Sequence, residues 1–333
     1  MPLHFTGSAR EYFRIWIVNI CLTLVTLGVF SAWAKVRKKR YFYSHTVLDG
    51  TPFQYLGQPI PILKGRLIAA TLFIVWYAAM HFFTSLIPFV LILAFVLAPW
   101  VVVRAAAFNA RYSAFRNMTF SFTGTYMSAV KVMYGWAVVT VLTLGIGFSW
   151  WYQRMKRYLI NQTSYGDIAG DFSATGGQFL KTYFIAGLLF IGAVFGISML
   201  PGLSAAFAGN AGKPVFTVML IIIMYAVYVM VFAYTQTRIT NLVWNKTQLG
   251  PLYFRSTIGV RSLLGLYLAN ALGILASAGL LIPWATIRTH KYRADHLSLV
   301  AEGNLADFRG SDDTNVRAAG TEIGDFFDLD MSL

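Results

Sequence analysis

Acidic side chains are scarce in this chain. Its 333 residues hold 13 Asp and Glu against 27 Lys and Arg, and only 12% are charged, where a soluble domain carries about a quarter. No Asp or Glu lies from Ile15 to Ala32, from Leu67 to Val103 or from Tyr183 to Tyr234, which removes the buried carboxylates that proton-coupled transporters use. A single cysteine, Cys21, sits in an apolar segment. It excludes a disulfide framework or a cysteine metal site and reads as a small packed hydrophobe. No Ser or Cys nucleophile stands beside a base, and no metal-ligand spacing occurs. The close His/acid pairs, His45 with Asp49 and Asp295 with His296, read as chance neighbours. Neither an enzyme nor a cofactor is expected.

Apolar residues are abundant, at 57%, and several runs reach the roughly 20 residues a bilayer core requires. Leu67 to Ala107 carries one charge, Arg104, and suits two helices broken near Pro88. Tyr183 to Arg238 suits a second hairpin, broken in the Pro/Gly/Asn-rich stretch from Pro201 to Pro214. The basic run after Trp33-Ala34-Lys35 lies on the wrong side of the first apolar stretch for a secretory leader.

The chain also resembles itself. A shift of 117 positions aligns Phe5-Thr6-Gly7 with Phe122-Thr123-Gly124, Gly28 with Gly145, Trp33 with Trp150 and Tyr41 with Tyr158. A shift of 251 aligns Asn19 with Asn270, Gly28 with Gly279, Trp33 with Trp284 and Tyr41 with Tyr292. One motif therefore occurs three times: an apolar helix, a Leu-Gly or similar break, a Trp, then Arg-x-x-basic-Tyr. Short β-like stretches at Thr51 to Leu56, Met118 to Phe122 and Pro251 to Phe254 accompany it. With Phe-Thr-Gly near the start, Thr-Leu-Gly-Val-Phe-Ser-Ala-Trp-Ala-Lys-Val-Arg at 26–37 and Asp49-Gly50, residues 1–310 resemble the YjgN family of bacterial inner-membrane proteins. That resemblance implies an inner-membrane location and carries no known activity or ligand residues.

The fold expected is an all-α membrane protein, a polytopic helical bundle of three related units with short β-strands near the cytoplasmic face. The units fall at 1–66, 108–179 and 237–310, with transmembrane hairpins at 67–107 and 180–236 and a disordered acidic cytoplasmic tail at 311–333. Basic loops stay in the cytoplasm, which favours apolar stretches that turn back near Gly28, Gly145 and Gly279, with both termini cytoplasmic. Seven full spans is the alternative.

The repeated cations Arg37, Arg40, Arg154, Arg157, Arg288 and Lys291 are candidates for an anionic ligand or for anionic lipid headgroups. Trp33, Tyr41, Trp150, Tyr158, Trp284 and Tyr292 would then form an aromatic belt. Asn19 and Asn270 suit helix-to-helix hydrogen bonds, and His81 lacks a carboxylate partner within its hairpin. The partners expected are membrane lipids, anionic in character, and no nucleic acid. A transporter or channel for a small, anionic solute is the first function expected, a non-catalytic lipid-interacting or scaffolding protein the second, and a lipid-modifying enzyme the third. Clusters converging on one cavity would favour transport, and separate patches lipid contact.

Overall fold

The computed structural model describes residues 1–199 and 213–301. Five successive stretches of the chain take one path: a short strand, a helix, a helix returning alongside it, and a strand pairing with the first. The first unit is β1 (Leu3–Phe5), α1 (Ala9–Val25), α2 (Ser31–His45) and β2 (Thr46–Leu48). The second is β3 (Thr51–Pro52) running into β4 (Gln54–Tyr55), then α3 (Pro59–Phe82), α4 (Ile87–Tyr112) and β5 (Ser113–Phe115). The third holds β6 (Met118–Phe122), α5 (Tyr126–Val130) continued through a π-helical turn into α6 (Trp136–Leu142), α7 (Phe148–Asn161) and β7 (Thr163–Tyr165). The fourth is β8 (Ile168–Phe172), α8 (Gly176–Ser198), α9 (Lys213–Asn245) and β9 (Thr247–Leu249), and the fifth β10 (Leu252–Ser256), α10 (Val260–Ala276), α11 (Ile282–Asp295) and β11 (Leu297–Ala301).

The joints match from unit to unit. The last residue of each first strand faces the first residue of the second: Phe5 with Thr46, Tyr55 with Ser113, Phe122 with Thr163, Phe172 with Thr247 and Ser256 with Leu297. The next amide then donates to the carbonyl just before the second strand, from Thr6 to His45, Leu56 to Tyr112, Thr123 to Gln162, Ser173 to Lys246 and Thr257 to His296, each at 2.9 Å. The fourth residue of every outgoing helix is buried: Tyr12, Ile62, Ala129, Phe179 and Leu263. Four of the five returning helices end on a hydroxyl that satisfies a last-turn carbonyl, with Thr46, Ser113, Thr163 and Thr247 donating to Phe42, Asn109, Leu159 and Val243.

Neighbouring units are joined by tight antiparallel turns, so the strands form one eight-stranded and one three-stranded sheet. The two sheets meet twice. The stretch 51–55 serves both, because β3 pairs with β2 and β4 with β5. At the other seam Met1 and Leu299 exchange two backbone hydrogen bonds, at 2.7 and 2.8 Å, beside a bridge between Pro2 and Ser298. The result is a closed antiparallel ring with no free edge. A core of Leu3, Phe5, Leu48, Phe115, Tyr165, Leu252 and Leu299 lies against it.

This ring overturns the all-α expectation. Segments of two to five residues, separated by helical hairpins, carry little period-two signal of their own, and only pairing between units makes them a sheet. The expected strands at 51–56, 118–122 and 251–254 are parts of it, and β1, β2, β5, β7, β8, β9 and β11 complete it.

Four helices, α3, α4, α8 and α9, are long and apolar enough to cross a membrane. Pro88 stands at the second position of α4, where its missing amide costs nothing, so the chain turns at a short 3-10 segment just before it. The break expected between Pro201 and Pro214 lies largely outside the described residues, as does the acidic tail. The other three hairpins turn back after 17 residues in the first and fifth units. Their turns are alike. Leu27, Leu144 and Ala278 take φ of 49°, 50° and 47°, followed by Gly28, Gly145 and Gly279 at 92°, 94° and 91°. Each glycine amide bonds the carbonyl five residues back, on Thr23, Thr140 or Ile274, at 2.8 Å. This left-handed cap ends one helix and reverses the chain.

Candidate functional site

All five returning helices carry an arginine nine residues before their second strand: Arg37, Arg104, Arg154, Arg238 and Arg288. Each has an aromatic residue four positions earlier, on the same helix face: Trp33, Trp100, Trp150, Tyr234 and Trp284. The guanidinium groups lie over rings, Arg104 over Trp100 at 5.8 Å, Arg238 over Tyr234 at 5.7 Å and Arg288 over Trp284 at 5.1 Å. Arg37 instead takes Phe30 at 5.9 Å, and Arg154 takes Trp136 at 5.3 Å. Arg104 and Arg238 belong to this pattern and were not among the expected site residues. Their counting origin is a strand start, which the sequence did not reveal.

The other expected cations do different work. Arg40 donates to the carbonyl of Gly57 at 3.1 Å, and Arg157 to that of Phe172 at 3.2 Å. Both reach from one unit into the next, as Asn241 does to Ile258, so they join units. Lys291 and Arg288 are exposed. The tyrosines close the base of the short hairpins: Tyr41 donates to the Ser8 carbonyl and accepts from its amide, Tyr158 donates to Thr125, and Tyr292 accepts from the amide of Gly259. Their place is taken by Phe108 and Leu242 in the long hairpins. Asn19 and Asn270 cross between helices to Ala34 and Ala285, at 3.5 and 3.3 Å.

The remaining candidates are accounted for locally. His45 and His296 bond carbonyls one turn back on their own helices, on Tyr41 and Tyr292. Asp49 is held by Arg116 at 2.7 Å. His81 lies against Tyr77, ring centroids 4.2 Å apart. Cys21 is exposed rather than packed.

Two concavities matter. A groove of about 740 Å³ between the first and second units is lined by Arg14, Arg37, Arg40, Tyr41, Ser44 and the apolar Ile15 and Val18. A central cavity of about 500 Å³ lies over the ring, among the inner faces of the returning helices. Lys156, His290 and Arg293 reach it, and Arg37, Arg40, Arg154, Arg157, Arg288 and Lys291 do not line it. The three clusters therefore do not converge on one cavity.

The ring and hairpins run through the whole described chain, and so does its likeness to known proteins. Residues 1–326 match the bacterial proteins of unknown function grouped as DUF898. The chain belongs to this family. Similar curated proteins are the inner membrane protein YjgN of Salmonella typhimurium (strain LT2), 28% identical over 145 residues, 43% of this chain and 37% of that one, and YjgN of Escherichia coli (strain K12), 35% identical over 80 residues, 23% and 19%. The matches thus span well under half of these DUF898 relatives. No solved structure matches. The relatives are inner-membrane proteins, and four apolar helices give this chain the means to be one.

Proposed function

We propose that this protein is a non-catalytic binder of anionic lipid headgroups, anchored in the inner membrane by its four long helices, with its short hairpins set in one leaflet and its strand ring on the cytoplasmic side. Apolar exposure supports the depth. On the short hairpins it is concentrated at the tips, where Leu27 and Leu144 are each 95% exposed, and such surfaces seek an apolar partner. In α2 the first exposed arginine, Arg37, follows the helix start by six residues, about 9 Å at 1.5 Å per residue. The tips would then dip into one leaflet while the arginines stay at headgroup level. All five units point the same way from the ring, which puts their basic residues on one face, and positive charge keeps that face cytoplasmic. Residues 1 and 301 are both at the ring.

The observation that carries this reading is the groove where Arg14, Arg37 and Arg40 meet with no acid among the described residues lining it. Guanidinium forks suit phosphate, and Ile15 and Val18 offer an acyl chain an adjoining surface. The test is native mass spectrometry of the full chain with phosphatidylglycerol against phosphatidylcholine. Arg14→Gln and Arg37→Gln should each weaken retention of the anionic lipid about fivefold, the equivalent of about 1 kcal/mol per basic residue near a membrane surface. Arg116→Gln, at a ring turn, should leave it unchanged. Equal retention of both lipids would overturn the reading. Transport of a small anion is the second reading, favoured by the central cavity alone, and uptake assays in liposomes separate the two.

A further inference from the structure

The central cavity is distinct from the groove in position and in the kind of ligand its walls suit. Below, toward the ring, its wall is apolar and aromatic, with Phe53, Phe120, Leu249 and Phe254. Above, Lys156 of α7 and Arg293 of α11 enter it from different helices. No Asp or Glu is among the described residues lining it. Two cations facing a shared, mainly apolar space with no acid among its described lining residues favour a ligand that brings a counter-charge, because a charge drawn out of water needs one. Lys156 lies over the ring of Tyr152, its ammonium 5.5 Å from the centroid. Arg293 donates to the Tyr267 hydroxyl at 3.2 Å, a neutral partner. A volume of about 500 Å³ falls within the range of small-molecule sites, about 300–1,000 Å³.

We propose that this cavity is a binding site for a single-chain amphiphile with an anionic head, its carboxylate or phosphate between Lys156 and Arg293 and its tail in the aromatic mouth of the ring. Burial lowers the Lys156 ammonium below the usual lysine range, and an anion beside it would reverse that shift. Trp244 also lines the cavity and supplies a reporter at the tail.

The test uses the full chain in detergent and three ligands of one chain length: a 16-carbon fatty carboxylate, the corresponding monoacyl glycerol phosphate and the uncharged fatty alcohol. Both anions should bind at least tenfold more tightly than the alcohol, and the tighter of the two identifies the source of the head. Lys156→Met should abolish that preference while leaving the fold intact, since methionine keeps the length of the side chain and removes a costly charge. A brominated fatty acid should quench fluorescence in the native chain and quench it less in Trp244→Phe. Arg14→Gln, in the groove, should leave the quenching of Trp244 by the brominated fatty acid unchanged, since Trp244 lines the cavity and not the groove, so failure here and failure of the headgroup reading are distinguishable. The proposal is overturned if the alcohol binds as tightly as the anions, if Lys156→Met keeps the preference, or if Trp244→Phe loses none of the quenching.

Discussion

The three short hairpins and the two long ones leave the ring through the same joints, yet they are held in different ways. A short hairpin is fastened at both ends. A tyrosine hydroxyl bonds the loop before the outgoing helix, and a left-handed turn closes the tip. The long hairpins put Phe108 and Leu242 where the tyrosines stand, and the α3–α4 tip contains no left-handed residue. Length explains the contrast. A helix of 24 residues spans about 36 Å and can rely on bilayer solvation to keep it helical and upright. A hairpin too short to cross gains less from lipid and depends on its own fastenings.

The largest expected effect concerns the first short hairpin at high pH. Burial, reinforced by neighbouring Tyr41, pushes the Tyr12 phenol up to about 12, above its ordinary 10. The folded state therefore favours the protonated ring. The stability this lends is complete below pH 10 and is lost as pH rises from 10 through 12, about 2 to 3 kcal/mol in all. The equivalent residues elsewhere, Ile62, Ala129, Phe179 and Leu263, cannot ionise. Hydrogen exchange across this range should open the first unit before the fifth, and Tyr12→Phe should narrow the difference. Simultaneous opening of these two units would break the comparison.

Next in size is the tip. Gly28→Val and Gly145→Val force a branched side chain into left-handed backbone and should each cost about 2 kcal/mol, read as a fall in the thermal midpoint in detergent. Ser85→Ala at the tip between α3 and α4 should cost almost nothing. Smaller again is the base: Tyr158→Phe removes the hydroxyl that donates to Thr125 and accepts from Ser128 and should cost about 1 kcal/mol, measured by the same melts. The smallest effect on stability belongs to Leu144→Cys in a Cys21→Ser background. Labelled with a polarity-sensitive dye, it should report an apolar setting in liposomes, and a water-exposed signal would show that the short hairpins do not enter the bilayer.

Much of this was legible in the sequence. The apolar runs gave the four long helices, and the shifts of 117 and 251 found the three short hairpins with their glycine turns. The second and fourth units escaped those shifts because their helices are longer, which moves Arg104 and Arg238 out of register with Arg37. They share only the joints, such as Tyr55-Leu56-Gly57 and Phe172-Ser173-Ala174, whose meaning is set by pairing partners dozens of residues away. The cavity residues were hidden for the same reason. Lys156 differs from Arg154 and Arg157 only in which way it faces, and that direction is fixed by the ring.

Five is an odd number, and the units alternate short, long, short, long, short. On a closed ring that alternation fails once: the fifth and first units are neighbours, and both are short. Their helices pack there, with His290 of α11 against Phe42 of α2 at 4.3 Å and Phe5 of β1 at 6.2 Å. The rim thus has a deep side, fenced by four long helices, and one shallow side without a tall post. In the placement proposed above, lipid approaching from the shallow side meets only short hairpins, which gives the molecule a heading within the plane of the membrane.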